Sequence, residues 1–139
     1  VYLVAIGSIF IFLMLLLTTN PVKDLFESDI VSDEKIEIIK EKNPERLYND
    51  YNYGGYLIYN DIKVMIDGRA DMYSATLLED YLEYSKFLNP KLTDRYEFDY
   101  LLVDKNLALD NSFKENEEQY KKLAEDDKCV LYENLKYEK

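Results

Sequence analysis

The sequence predicts an α/β fold: a small sandwich with a mixed, mainly parallel sheet that ends in an antiparallel hairpin, preceded by one transmembrane helix. Short, largely apolar runs at 62–66 and 100–103 alternate with segments of helical period, which is the order of a parallel α/β sheet. A polar turn at 126–128 precedes a short apolar segment, as in a hairpin. Residues 1–19 carry no charge, whereas the whole chain has 28 acidic and 17 basic residues.

The charge-free segment at 1–19 predicts a membrane span. As a helix it would extend roughly 28 Å, close to the ~30 Å hydrocarbon core of a bilayer, so its partner would be membrane lipid. The alternative is a signal sequence whose start is missing, although no basic region or small-residue cleavage site is visible near Pro21. Because the chain begins at Val1 rather than at a methionine, we expect a longer protein in which this span is the last of several.

The remainder of the chain is acidic, with a net charge of −11 and a pI near 4.5. This balance argues against a nucleic-acid partner, since phosphate binding requires a basic surface. After the span, Lys23 is followed by acidic residues, and no basic cluster marks a cytoplasmic side. We therefore predict a linker at 20–31 and an extracytoplasmic domain at 32–139, located at the cell membrane.

The first elements of this domain follow from caps and turns. Ser32 predicts the start of a helix with acidic residues in its first turn and lysines in its last, and Asn43-Pro44 ends that helix. A strand is predicted at 46–49, and Gly54-Gly55 opens a short helix to about Tyr59. The run at 62–66 is rich in β-branched residues and predicts a central parallel strand at 63–67.

The second half follows from periodicity. Apolar residues from Leu77 to Leu88 recur at helical spacing, and this helix stops at Asn89-Pro90. A small helix is predicted at 92–96, a strand at 99–104 and a helix at 113–119. Periodicity alone leaves 120–125 open between helix and strand, and the polar turn that follows favours a hairpin of 121–125 with 129–133.

Several chemistries are excluded by composition. The chain has no histidine and one cysteine, so it can form neither a histidine-based triad or zinc site nor an internal disulfide. Cys129, beside Val130 and Leu131, is interpreted as a small buried hydrophobe. No D-x-D, Walker, G-x-S-x-G or paired-cysteine motif occurs. We therefore expect no catalytic residue, no metal and no cofactor.

Aspartates follow the three predicted parallel strands: Asp50, Asp67 and Asp104. Because the carboxyl ends of parallel strands share one edge of a sheet, these residues predict an acidic cleft there. Such a cleft could bind sugar hydroxyls or a divalent cation. The alternative is that the aspartates only cap helices and form turns.

The densest polar group of the chain lies at 67–71. Arg69 could grip an anionic ligand or form a structural ion pair with Asp67 or Asp71. Gly54-Gly55 could present N–H groups to a phosphate or serve only as a turn, and the neighbouring tyrosines could stack on a sugar or simply pack. The predicted ligand-binding residues, expected to converge near the glycine turn, are Asp50, Tyr53, Gly54, Gly55, Asp67, Arg69 and Asp71.

Two motifs resemble a known family. A hydrophobic span, a linker and a helix ending in Asn-Pro precede the segments 48–58 (YNDYNYGGYLI) and 66–73 (IDGRADMY). This arrangement resembles the C-terminal extracytoplasmic domain of multi-pass bacterial membrane proteins related to GT-C glycosyltransferases, over nearly the whole chain. A more distant likeness is to the oligosaccharyltransferase catalytic subunit, whose Trp-Trp-Asp-Tyr-Gly motif is echoed at 50–54, although this chain has no tryptophan.

In that superfamily the catalytic carboxylates lie in loops between upstream spans, and the donor is a lipid-linked sugar. The resemblance therefore implies an accessory domain without catalytic residues of its own, which positions the acceptor or stabilises the enzyme. Its partners would be the upstream transmembrane domain of the same protein and a glycan or lipid-linked sugar. The alternative is a membrane-anchored interaction domain with no enzymatic parent.

Overall fold

Eleven short elements follow one another in the computed structural model, which describes residues 30–86 and 89–137. The helices are α1 (Asp33–Lys42), α2 (Gly54–Tyr59), α3 (Ala75–Lys86), α4 (Pro90–Tyr96) and α5 (Ala108–Lys114). The strands are β1 (Leu47–Asn49), β2 (Tyr100–Asp104), β3 (Tyr120–Glu125) and β4 (Cys129–Asn134). Single 3₁₀ turns span Tyr51–Tyr53 and Ala70–Met72. The fold is α/β, as predicted.

The four strands form one mixed sheet in the order β1-β2-β4-β3. Only β1 and β2 are parallel, whereas β2 with β4 and β3 with β4 are antiparallel. The hairpin prediction is confirmed, but the prediction of a mainly parallel sheet is wrong. The sheet is mainly antiparallel because β4 turns back from the hairpin and lies beside β2.

A buried core lies on each face of the sheet. Successive side chains of β2 alternate between the two cores: Leu101 and Val103 belong to one, and Tyr100 and Leu102 to the other. This alternation is the period-two pattern of a strand covered on both sides. The helices and loops therefore form layers on both faces of the sheet.

The predicted central strand at 63–67 does not form. Residues 62–64 and 66–67 have no regular secondary structure, and Met65 lies in a bend. The buried carboxamide of Asn49 holds this segment beside β1: Nδ2 donates to the Ile66 carbonyl (2.8 Å), and Oδ1 accepts from the Met65 N–H (2.8 Å). A side-chain amide thus supplies bonds that a neighbouring strand would supply.

The helix predicted at 113–119 is also misplaced, because α5 ends at Lys114 and a turn covers 115–119. Leu109 and Phe113 are four residues apart and both are buried, so they form the apolar face of α5. The residues after Phe113 are polar and offer no second apolar turn. Of the remaining predicted helices, α1 and α2 have the predicted ends. Both α3 and α4 begin two residues earlier than predicted, and α3 is described only to Lys86.

The predicted span at 1–19 and most of the predicted linker lie outside the described residues. Within 30–86 and 89–137, every helix is too short or too polar to cross a bilayer.

Tyr48 on β1 lies fully buried in a cluster of aromatic rings. Its ring centroid is 5.0 Å from that of Tyr84 and 5.4 Å from that of Phe98. Its hydroxyl group has no hydrogen-bond partner among the described residues. Burial, and then the nearby Tyr81 and Asp50, raise the pKa of Tyr48 far above its ordinary value, so the phenol stays neutral.

We expect Tyr48→Phe to raise the free energy of unfolding by about 1 kcal/mol, because it removes a buried hydroxyl that gains no bond on folding. Urea denaturation followed by far-UV circular dichroism measures the change. Tyr84→Phe is the matched control: its hydroxyl lies 3.0 Å from Thr93 Oγ1, so its removal should lower stability. Equal losses in both variants would mean that the Tyr48 hydroxyl is satisfied.

Candidate functional site

The carboxyl ends of β1 and β2 bring two aspartates to one edge of the sheet. Asp50 directly follows β1, and Asp104 is the last residue of β2. Each carboxylate accepts a phenolic hydrogen bond: Tyr53 donates to Asp104 Oδ1, and Tyr81 donates to Asp50 Oδ1 (3.0 Å). The prediction that the strand exits share one sheet edge is therefore confirmed for Asp50 and Asp104. It is wrong for Asp67, which follows no strand.

Burial shifts the pKa of two side chains at this edge. It raises the pKa of Asp50, and the charge of Asp104 raises it further. Burial, and then the bond to Asp104, also raise the pKa of Tyr53 well above its ordinary value. The tyrosines therefore act as fixed donors that orient the carboxylates.

A shallow cavity of about 600 Å³ opens beside this edge. We call it the strand-end cavity, and its lining residues are Ile30, Asn52, Tyr53, Asp104 and Lys128. Tyr53 occupies Oδ1 of Asp104, and Oδ2 accepts no hydrogen bond from the described residues. Asn52 is exposed, and within the same residues its carboxamide has no partner. An orientated carboxylate oxygen and a carboxamide thus line one opening.

Gly54 and Gly55 have different surroundings. A Cβ atom on Gly54 would lie 2.2 Å from the Ile66 carbonyl oxygen, whereas one on Gly55 would meet nothing within 4 Å. The Gly54 N–H already donates to the Tyr51 carbonyl, and α2 has only 6 residues. Gly54 therefore serves close packing against the 66–67 segment, and the phosphate interpretation gains no support.

Asp67 and Arg69 form a two-pronged ion pair. Arg69 Nε donates to Asp67 Oδ1 (3.0 Å), and Nη2 donates to Oδ2 (2.6 Å). The Asp67 side chain is 3% exposed and that of Arg69 is 62% exposed. The Arg69 hydrogen bonds hold the pKa of Asp67 far below its ordinary value. The structural interpretation of this pair therefore describes its geometry, because Asp67 occupies the Nε–Nη2 edge of the guanidinium group.

The seven predicted site residues converge only in part. Gly54 packs on Asp67, so the two motifs do meet. Within the first motif, the Tyr53 N–H donates to the Asp50 carbonyl (3.0 Å). Asp71 is exposed and makes no hydrogen bond or ion pair within the described chain. That these residues bind a ligand stays a prediction.

The sequence reasoning missed Asn49, Asn52, Tyr81 and Lys128 at this edge. Asn49 and Asn52 lie within two residues of Asp50, so the position of Asp50 at the end of a predicted strand also pointed to them. Tyr81 is 31 positions from its partner Asp50, so nothing local pointed to it.

The ion pair of Asp67 and Arg69 is expected to make the free energy of unfolding depend on pH. Because the folded pKa lies below the ordinary value of 3.8, Asp67 contributes stability above about pH 4 and loses it as the pH falls through the folded value. We expect Asp67→Asn to lose stability at pH 7 and to approach the unsubstituted chain as the medium is acidified. Denaturant melts from pH 7 to pH 2 measure the difference.

Asp71→Asn is the matched control, since it removes an exposed carboxylate without a described partner. Its stability should follow that of the unsubstituted chain at every pH. If Asp67→Asn behaved in the same way, the ion pair would have no net effect on folding.

The comparisons with known proteins leave the family undetermined. No protein-family model matches this chain, and neither a curated protein nor a solved structure matches it. Within the described residues, no group of three or more cysteine or acidic side chains could hold a metal ion.

Proposed function

We propose that this chain is an accessory extracytoplasmic domain of a GT-C-like integral membrane glycosyltransferase and that its strand-end cavity positions the acceptor. In this proposal residues 1–19 anchor the domain in the cell membrane beside the upstream transmembrane domain of the same protein. The catalytic residues lie in that upstream part. The ligand of the cavity is a glycan or lipid-linked sugar.

The observation that carries this proposal is the pairing of Asp104 and Asn52 in one open cavity. Carboxylate and carboxamide groups together accept and donate hydrogen bonds, which suits the hydroxyl groups of a sugar. Tyr53 fixes the Asp104 carboxylate, so the free oxygen is presented in one direction. Ile30 adds an apolar contact at the rim, where it is 40% exposed.

A role in positioning the acceptor agrees with the hydrogen bonds and ion pair that the other predicted site residues already form. Asp67 is held by Arg69, and the Asp50 carboxylate accepts a hydrogen bond from the Tyr81 hydroxyl. These groups shape the edge of the sheet. Binding energy from such an edge still affects rate, because a misplacement of about 1 Å can cost ~100-fold.

A membrane-anchored interaction domain is the second candidate. It is favoured by large exposed apolar side chains, since Tyr59 is 72% exposed and Met72 is 71% exposed. Such side chains are enriched where proteins contact one another. This candidate differs from the first in requiring no sugar.

Saturation-transfer NMR with neutral disaccharides (maltose, cellobiose and diacetylchitobiose) tests the sugar site. The 139-residue chain should be studied in a detergent without a sugar headgroup. We expect transfer to at least one disaccharide, and a loss of ~10-fold or more in affinity in Asp104→Asn and Asn52→Ala, as expected for removing charge-assisted or paired hydrogen bonds. Glu79→Gln, an exposed site on α3, should bind as the unsubstituted chain does.

Two outcomes would count against the proposal. Absence of transfer to all three sugars would favour the interaction domain. Glycosyl transfer from a lipid-linked donor by the chain alone would overturn the accessory role. In the complete protein, the cavity variants should raise the acceptor KM and leave kcat nearly unchanged.

A further inference from the structure

A second cavity, of about 320 Å³, lies beside the start of β1 and shares no lining residue with the strand-end cavity. We call it the basic cavity. Arg46, Lys63 and Arg95 contribute its positive charges, and Glu45 and Glu97 its negative ones. Two of the three arginines of this chain therefore line one opening, although the net charge of the chain is −11.

We propose that the basic cavity binds a phosphate group carried by a small molecule or a lipid. The proposal does not depend on the sugar site. It rests on the surplus of cationic donors that the structure leaves around the cavity and on the apolar surface beneath them.

The cationic side chains of the cavity have more hydrogen-bond donors than their described partners use. Within the described residues Lys63 forms no ion pair, and its side chain is exposed. Arg46 donates from Nη1 to Glu97, and Arg95 donates from Nη1 to Asp80 (2.7 Å). Each guanidinium group carries about five N–H donors, so most of them remain for a ligand.

The two existing ion pairs do not close the cavity. The side chains of Arg46 and Glu97 are 51% and 47% exposed. Ion pairs exposed to this degree contribute little to stability, so Arg46 can turn toward a ligand at small cost. A phosphate monoester carries close to two charges at neutral pH and competes well with a single carboxylate.

Apolar side chains in the cavity determine which kind of molecule can carry the phosphate group. Val64, Met65 and Tyr96 line the cavity, and their side chains are partly exposed. The Tyr96 ring stacks on Phe98 with centroids 5.4 Å apart, and the Arg95 guanidinium group lies 5.8 Å from the Tyr96 centroid. An apolar or flat body can therefore pack on this surface while its phosphate group meets the cations.

Titration of the full chain in a nonionic detergent with inorganic phosphate and with glycerol 3-phosphate tests the proposal. Backbone amide shifts of residues 63–65 report binding, with chloride at equal ionic strength as the blank. We expect Lys63→Gln and Arg46→Gln each to raise Kd about tenfold, equivalent to about 1.4 kcal/mol. Lys91→Gln, an exposed lysine on α4 that does not line the cavity, should change Kd by less than about twofold.

A second arm separates the two sources of the phosphate group. Bicelles of phosphatidylcholine with and without phosphatidic acid are added in place of the soluble phosphates. A Lys63-dependent response to phosphatidic acid alone identifies a lipid headgroup, and one to the soluble phosphates identifies a small molecule. The proposal is overturned if neither probe binds saturably, or if binding is the same in Lys63→Gln and Lys91→Gln.

Discussion

Replacement of Gly54 by alanine is expected to lower the free energy of unfolding by about 3 kcal/mol, the upper range for overpacking a tight site. The new Cβ atom would lie 2.2 Å from the Ile66 carbonyl oxygen and 2.6 Å from Asp67 Cα. Both are backbone atoms, so no rotamer change relieves the clash, and α2 must separate from the 66–67 segment. The φ angle of Gly54 is −55°, which any residue adopts, so close approach is the whole reason for glycine.

Gly55→Ala is the matched control on the neighbouring residue. Its Cβ meets nothing within 4 Å, and alanine is favoured over glycine in a helix by up to about 1 kcal/mol. Chemical denaturation monitored by far-UV circular dichroism should therefore move the two midpoints in opposite directions. Equal effects of the two substitutions would show that α2 is free to shift away from Asp67.

Local patterns predicted the elements whose signals are local. The caps and charges of 32–44 led to α1, and the polar turn at 126–128 led to the β3–β4 hairpin, and both are present. The order of strands is not a local property. Placing β4 between β2 and β3 depends on pairing across more than 20 residues, and no sequence period reports it.

The false strand at 63–67 has a specific cause. Val64 is partly buried and Ile66 is fully buried, so the segment has the apolar character that predicts a strand. Apolar character reports burial, and it does not report which group satisfies the backbone. Here the Asn49 side chain does so, and asparagine in a strand gives no sign of this role.

The sequence likewise predicted some parts of the candidate site and not others. Placing Asp50 and Asp104 at one edge required only that β1 and β2 be parallel, and they are. The engagement of Asp67 by Arg69 was one of two open interpretations, since a two-residue spacing permits an internal pair as well as a free guanidinium group. The cavity residues Ile30 and Lys128 come from distant parts of the chain, and only the folded structure brings them together.

Asn49→Ala is expected to cost about 3 kcal/mol or more, because it leaves the Ile66 carbonyl and the Met65 N–H without their partners at a largely buried site. Each unsatisfied buried group costs about 1–3 kcal/mol. The segment should also detach from β1, so amide hydrogen exchange at Met65 should accelerate more than exchange in the β3–β4 hairpin. Urea denaturation and exchange mass spectrometry measure the two effects.

Asn52→Ala is the control, because Asn52 is exposed and its side chain has no partner within the described residues. Its stability should stay within about 0.5 kcal/mol of the unsubstituted chain. Asn49→Asp separates hydrogen bonding from size: a carboxylate keeps the acceptor for Met65 but faces the Ile66 carbonyl without a donor. Asn49→Asp should therefore lower the free energy of unfolding as much as Asn49→Ala does at neutral pH. If Asn49→Ala lowered the free energy of unfolding no more than Asn52→Ala, the Asn49 carboxamide would not be what holds the segment beside β1. The apolar contacts of Ile66 would then have to hold it alone.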